Sequence, residues 1–382
     1  MSKGPADCIR HLRDYIAIPS VNPMRSDRVP ADLAGERRYA EHIEAQLRRI
    51  GLDAIVIGKG DRASVVAEAR VAGAVDTVLI ASHLDTVPVE GMEIDPFDPR
   101  IEGNRLYGRG SCDTKAGMAA AIVALEKLLA EGRLRRNVIL VGEADEECGS
   151  LGVADVLEHL GTRRPDWTLA TEPTGMELIT HHKGVGRAEL RAEGVACHSS
   201  DPTLGHSAIV DIAKAVVVLD ELAKKLKRRV DPRLGPATLS VGLIGGGQAA
   251  NVVPPDAWLQ LDRRLLPGES IETFSAEIRS ALLEAGLDKV QLTGASVEKP
   301  ALATDAESPP VRACQEALAA IGLSTAPAIA AFGTDAGVFA EHDLPGVVFG
   351  PGSINNAHTA REYVEISQVE QATEFYLALL GG

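Results

Sequence analysis

Thr77-Val78-Leu79-Ile80-Ala81-Ser82-His83-Leu84-Asp85 runs as six apolar or small residues and then stops on a histidine, with an aspartate two positions further on. A run this short, rich in β-branched residues and without a 3.6-residue period, predicts a buried strand. The same design recurs along the chain. Residues 138–142 end in Glu143-Ala144-Asp145-Glu146-Glu147, residues 167–171 end in Glu172, and 346–349 lead through Gly350-Pro351-Gly352 toward His358. Asp113 follows the turn Gly108-Arg109-Gly110-Ser111-Cys112 and opens a helical pattern over 115–132. Further amphipathic helical patterns cover 7–18 and 35–51, the first ended by the turn Pro19-Ser20-Val21-Asn22-Pro23, and an apolar run covers 63–69. Strand and helix periods alternate, which predicts an α/β fold with helices packed on a central sheet. In such sheets the carboxyl ends of strands line the ligand crevice, so these histidines and carboxylates are expected to converge.

Converging imidazoles and carboxylates imply a metal. Two imidazoles with three carboxylates and no thiolate suit zinc or its neighbours, whereas an all-oxygen set would suit magnesium or calcium. Five ligands exceed what one tetrahedral catalytic site with an open position uses, so two ions are expected.

A chain of 382 residues exceeds the size of one hydrophobic core and predicts two structural units. After Glu172 the pattern changes. Residues 185–192, 206–229, 237–244, 257–265, 271–285 and 289–293 read as strand, helix, strand, strand, helix, strand, the βαββαβ order of a small open sandwich. The expected organisation is a first domain over 1–180, an inserted α+β unit over 181–295, and a return to the first domain over 296–382. A formal charge of −15 argues against a nucleic-acid surface. The basic run Lys224-Lys225-Leu226-Lys227-Arg228-Arg229 complements the end of a helix. Five scattered cysteines with no CxxC spacing predict free thiols in a reducing compartment, with Cys112, Cys148 and Cys197 as small buried hydrophobes. The first seven residues lack an apolar leader, and no segment has the eighteen or so apolar residues of a membrane span, so a soluble cytoplasmic protein is expected. Gly58-Lys59-Gly60 and Gly245-Gly246-Gly247 lack the Walker spacing, which excludes a phosphate loop on this pattern.

Five segments together resemble the zinc-dependent deacylases and exopeptidases that include acetylornithine deacetylase, succinyl-diaminopimelate desuccinylase and the glutamate-releasing carboxypeptidases. They are Ser82-His83-Leu84-Asp85-Thr86-Val87-Pro88, Gly108 through Gly117, Asp145-Glu146-Glu147-Cys148-Gly149-Ser150, Thr171-Glu172-Pro173-Thr174 and Ala357-His358-Thr359. The resemblance covers nearly the whole chain. It implies two Zn2+ ions, replaceable by Co2+ or Mn2+, one held by His83 and Glu172 and the other by Glu147 and His358, with Asp113 shared. It implies a cis peptide after Asp113 and a lid and dimerisation role for the ferredoxin-like inserted domain. Asp85 would steady the other nitrogen of the His83 ring, and Glu146, beside the ligand Glu147, would serve as the general base.

In the inserted unit, His198 matches a histidine that reaches the partner subunit's site to steady the oxyanion, and Asn251 resembles a second such residue. Arg264 stands where the family grips a substrate carboxylate, assisted by the turn that holds Gly333 and Thr334. His11, His42, His159, His206 and His342 read as ordinary core or surface histidines, and His181 and His182 as hinge residues. The implied reaction is hydrolysis of a small N-acyl-amino acid by a homodimer, closest to acetylornithine deacetylase. The desuccinylase and a di-, tripeptide or glutamate-releasing exopeptidase are the alternatives, and a non-catalytic, metal-stabilised dimeric binding protein is the remote one. Asn356 and Arg361 depart from the commoner residues near the second zinc histidine, which leaves the acyl group open.

Overall fold

The computed structural model describes residues 7–24 and 26–382; residues 1–6, where no apolar leader was expected, and Arg25 lie outside the described residues. The chain divides into two compact units. One holds the residues up to Thr180 with Thr304–Ala330 and Thr334–Gly382, and the other holds His181–Ala303 with Ala331–Gly333.

The first unit is built on a mixed sheet. Its strands lie in the spatial order Asp53–Lys59, Arg62–Ala69, Asn137–Glu143, Thr77–His83, Trp167–Ala170, Gly346–Val348, Leu178–His182. Thr77–His83 runs parallel to both Asn137–Glu143 and Trp167–Ala170, and Gly346–Val348 is parallel to Trp167–Ala170, so four strands release the chain at one edge. The remaining pairs are antiparallel. Side chains alternate between the two faces of the sheet as a period of two requires. Val78, Ile80, Val138 and Leu140 face one core with the helices Asp7–Ile16, Lys115–Glu131 and Ile366–Gly381. Leu79, Ala81, Ile139 and Val141 face another with Val153, Val156 and Phe339 from the helices on the opposite side. Both faces are therefore covered, which is why the parallel strands read as unbroken apolar runs.

The Lys115–Glu131 helix is almost wholly apolar and buried around its first three turns. Its Gly117 lies so close to the Thr171 turn that a Cβ there would sit 2.4 Å from Thr171 Oγ1, so only glycine allows this approach. The helix stops at Gly132, whose φ of 65° permits the left-handed cap.

The inserted unit is a four-stranded antiparallel sheet in the order Thr238–Gly246, Asp256–Leu265, Gly184–Glu193, Val290–Lys299. The helices Ala208–Leu226 and Ile271–Glu284 cover one face, meeting Leu190, Leu259 and Leu261 with Ile212, Leu219, Phe274 and Ile278. The other face carries Arg187, Glu189, Arg191, Gln260 and Asp262. The fold is thus α/β, a mixed central sheet flanked by helices with an α+β unit inserted into it.

Three details differ from the sequence reading. The strand Asp53–Lys59 was not expected; it is the edge partner of Arg62–Ala69, and its Ile55 side chain is exposed. The inserted unit extends past 295 to Ala303 because its last strand continues to Lys299. Cys112 is buried as expected, but Cys148 and Cys197 are only half-buried, since both stand in loops; all five cysteines are free. Among the described residues no helix is long and apolar enough to cross a membrane.

Candidate metal centre

The four parallel strands set the centre. His83 is the last residue of its strand, in register with Glu143 at the end of the neighbouring one. Beyond Glu143 the chain turns sharply through Asp145, whose φ of 66° is rare for a non-glycine residue and reverses direction so that Glu146 and Glu147 turn back toward His83. Glu172 lies two residues past its strand, held by Thr171 N–H donating to the Ala81 carbonyl at 2.8 Å. His358 also takes a positive φ, 59°, in the loop after Gly346–Val348. The peptide bond between Asp113 and Thr114 is cis.

Asp113 is the hub. Its Oδ1 lies 2.9 Å from His83 Nε2 and its Oδ2 lies 3.2 Å from His358 Nε2. His358 Nε2 is also 3.0 Å from Glu147 Oε1, and Glu172 Oε2 is 3.9 Å from His83 Nε2. Ligand atoms of His83, Asp113 and Glu147 all fall within 4.8 Å of one another, the spacing of a cation site. The structure therefore brings His83, Asp113, Glu147, Glu172 and His358 together.

The donor chemistry fits metal ions. His83 Nδ1 lies 2.9 Å from the Asp85 carbonyl oxygen, so that nitrogen carries the proton and leaves Nε2 as a lone pair facing a carboxylate. Two acceptors at 2.9 Å need a cation between them. In the metal-free protein a proton plays that part. Burial works against charging the His83 ring, but its hydrogen bonds to Asp113 and Asp85 outweigh this and raise its pKa well above the usual value. Hydrogen bonds to Asp113 and Glu147 push His358 up to about 10. Burial works against ionising Asp113, yet hydrogen bonds to His358 and His83 hold it below the usual carboxylate range. A divalent ion can replace each of these protons.

Asp85 offers the other nitrogen of the His83 ring two groups: its backbone carbonyl oxygen lies 2.9 Å from Nδ1 and its nearer carboxylate oxygen 3.5 Å. The fully buried carboxylate also accepts Glu146 N–H at 3.1 Å on Oδ1, and Glu147 N–H at 3.0 Å and Asn22 Nδ2 at 2.8 Å on Oδ2. It pins the backbone of the Glu146-Glu147 pair, and Glu146 itself is buried.

The remaining candidates belong to the inserted unit or its flank. His198 is exposed, with Nδ1 2.8 Å from Ser200 Oγ, and it pairs with Val252 beside Asn251, whose carbonyl accepts Ser199 N–H at 3.0 Å. His198 and Asn251 thus share one patch. Arg264 is partly exposed and donates to Asp262 at 3.0 Å, whereas Arg263 is buried and forks onto Glu269. Gly333 packs so tightly that a Cβ would meet Lys299 Cβ at 2.8 Å. Thr334 belongs to the first unit and caps the Asp335–Glu341 helix, accepting Ala336 N–H at 3.2 Å.

Asn22, Glu36 and Glu362 were missed by the sequence reading. Asn22 Nδ2 bridges Asp85 and Asp145, and buried Glu36 accepts Asp145 N–H at 3.3 Å. Burial, followed by the charge of Asp85, pushes Glu36 up to about 8. The only signal for Asn22 was its place between two prolines, which read as a turn.

Histidines and carboxylates gathered at the strand ends of an α/β sheet fit a metal centre, and comparison with known proteins gives its class, a metal-dependent hydrolase of linear amide bonds. The chain belongs to peptidase family M20/M25/M40, whose model matches residues 79–381. It is 33% identical over 304 residues to a peptidase M20 domain-containing protein of Schizosaccharomyces pombe, a match spanning 78% of this chain and 67% of that one. It is 30% identical over 333 residues to an acetylornithine deacetylase of Myxococcus xanthus, covering 85% and 82%. The crystal structure of an M20 family metallo-carboxypeptidase from Sulfolobus solfataricus superposes with a TM-score of 0.82 over 98% of this chain and 99% of that one, at 22% identity, a likeness of fold.

Proposed function

We propose that the protein is a two-zinc amidohydrolase that removes the acyl group of a small N-acyl-amino acid, most like acetylornithine deacetylase. The observation that carries this reading is Asp113, whose two carboxylate oxygens address two different histidines. His83 and Glu172 would hold one ion and Glu147 and His358 the other, with Asp113 shared. Bound zinc supplies Lewis acidity toward the acyl carbonyl and toward water.

The chain's own residues do the rest. Asp85 fixes the Glu146-Glu147 turn through their N–H groups. Glu146 takes a proton from the attacking water and returns it to the departing nitrogen, so that water's hydroxyl ends on the acyl carbon and a free amine leaves. Arg264, with Asn251, Gly333 and Thr334, is assigned to the substrate carboxylate and its surroundings, and His198 to the oxyanion in the partner subunit.

The homodimer is supported by the inserted unit itself. Its Thr238–Gly246 strand is a sheet edge with Leu243 and Ile244 exposed, and the helix packed beside it exposes Ile209, Val210 and Val217. An apolar edge of this kind invites pairing with a second copy. Free cysteines suit the cytoplasm.

A second reading, a short-peptide exopeptidase, draws support from the metallo-carboxypeptidase of matching fold. The test is zinc loading followed by side-by-side turnover of N-acetylornithine, succinyl-diaminopimelate and simple dipeptides. The deacetylase reading requires the highest kcat/KM on the first, and preferential cleavage of dipeptides would replace it with the second reading.

A further inference from the structure

Glu362 lies four residues beyond His358 and has no solvent exposure. Its carboxylate accepts four hydrogen bonds. Oε2 takes Arg109 Nη1 at 2.6 Å and Gly110 N–H at 3.1 Å, and Oε1 takes Cys112 N–H at 2.9 Å and Asp113 N–H at 3.1 Å. The Glu362 carbonyl accepts a fifth, from Gly108 N–H at 3.1 Å. Convergent main-chain N–H groups of a turn form an anion-binding nest, and here the chain's own carboxylate fills it. None of these peptide groups can rotate without leaving a buried charge short of a donor, which is costly.

The two ends of this clamp matter. One is the turn that ends in Asp113; the other is the segment that carries His358. We propose that Glu362 is a positioning residue that sets Asp113 against His358, and so governs the ion assigned to Glu147 and His358 more than the ion assigned to His83 and Glu172, Asp113 being common to both. His83 takes its orientation elsewhere, from the Asp85 carbonyl. This inference rests on the two-metal reading above.

Glu362→Gln tests it. The substitution keeps the volume and places an NH2 group against one pair of donors. Metal-free protein is titrated with Zn2+ by calorimetry, and amide hydrogen exchange is followed over residues 108–113 before any metal is added. The wild type should take two ions. The variant should hold one of them as the wild type does and bind the other about 10- to 100-fold more weakly, the range for loss of a group that supports a ligand. Its Gly110, Cys112 and Asp113 amides should exchange about tenfold faster or more. Unchanged exchange overturns the clamp, and equal weakening of both ions overturns its selectivity, because general loosening would act on both. If Glu362→Gln does not fold, Arg109→Lys, which keeps the charge but gives up the guanidinium whose Nη1 reaches Glu362 and whose Nη2 reaches the Pro88 carbonyl at 3.3 Å, is put through the same two measurements with the same outcomes. Should the wild type itself bind fewer than two ions, the two-metal reading fails, and the exchange rates still decide whether Glu362 holds the turn.

Discussion

Asp85→Asn separates two ways in which this aspartate could act. The side chains are nearly isosteric, so packing is preserved and the change is one of charge and of one acceptor becoming a donor. With the amide oxygen kept toward Glu147 N–H and Asn22, the new NH2 faces Glu146 N–H across the present 3.1 Å contact. One hydrogen bond to a charged acceptor is lost, and a donor meets a donor in a buried place, at a cost of about 1.5–3 kcal/mol. At 1.36 kcal/mol per factor of ten this is about a 10- to 150-fold loss of kcat if the displaced Glu146 carries the proton transfer. The His83 ring keeps its partner, because that partner is a backbone carbonyl. Metal content should therefore hold while kcat falls, measured by elemental analysis and by steady-state hydrolysis on the same zinc-loaded sample. A variant within threefold of wild type in kcat would refute the reasoning, and a loss confined to metal content would show that Asp85 acts through His83.

Glu146→Ala should keep both ions and lose about 10^2- to 10^4-fold in kcat, as removal of a general base does; metal analysis with steady-state kinetics checks it. With His83 and His358 protonated in the metal-free protein at neutral pH, metal uptake must release protons, so apparent affinity should rise with pH, continuing for the His358 ion toward about pH 10. Calorimetry in buffers of different ionisation heat counts these protons, and a count of zero contradicts the geometry. The same raised His358 pKa stabilises the metal-free fold fully below its unfolded value of about 6.5 and loses that contribution as pH rises through about 10, so Tm of chelator-treated protein should fall over that window. Mixing His198→Ala and Glu146→Ala subunits should restore up to about a quarter of wild-type activity, since random pairing leaves half the dimers with one complete site; no recovery would remove His198 from the partner's site. Gly117→Ala should destabilise by about 1–3 kcal/mol in denaturant unfolding, because its Cβ would press on Thr171.

The parallel strands were legible because sheets covered on both faces need unbroken apolar runs, and each such run stops where the crevice begins. That rule located the segments that hold His83, Glu147, Glu172 and His358, and the family resemblance singled out those residues within them. The edge strand Asp53–Lys59 was missed although Ala54-Ile55-Val56-Ile57 is an apolar run: it is only four residues long, carries no His or carboxylate at its end, and at the sheet edge buries only Ala54 fully. The supporting residues were hidden for another reason. Asn22 reaches Asp85 across 63 positions and Glu362 reaches Cys112 across 250, and no local period encodes contacts of that span. Which atoms of Asp85 meet the His83 ring was not legible either: two residues beyond His83 it can offer its carboxylate or its carbonyl, and only the turn of the chain at the strand end sets their distances, 3.5 Å and 2.9 Å.

The central claim is that one carboxylate serves two ions. Anomalous diffraction from crystals of the zinc-loaded protein tests it most directly. Two peaks roughly 3.5–4 Å apart with an Asp113 oxygen on each are predicted; a single peak, or two that Asp113 does not join, would contradict it.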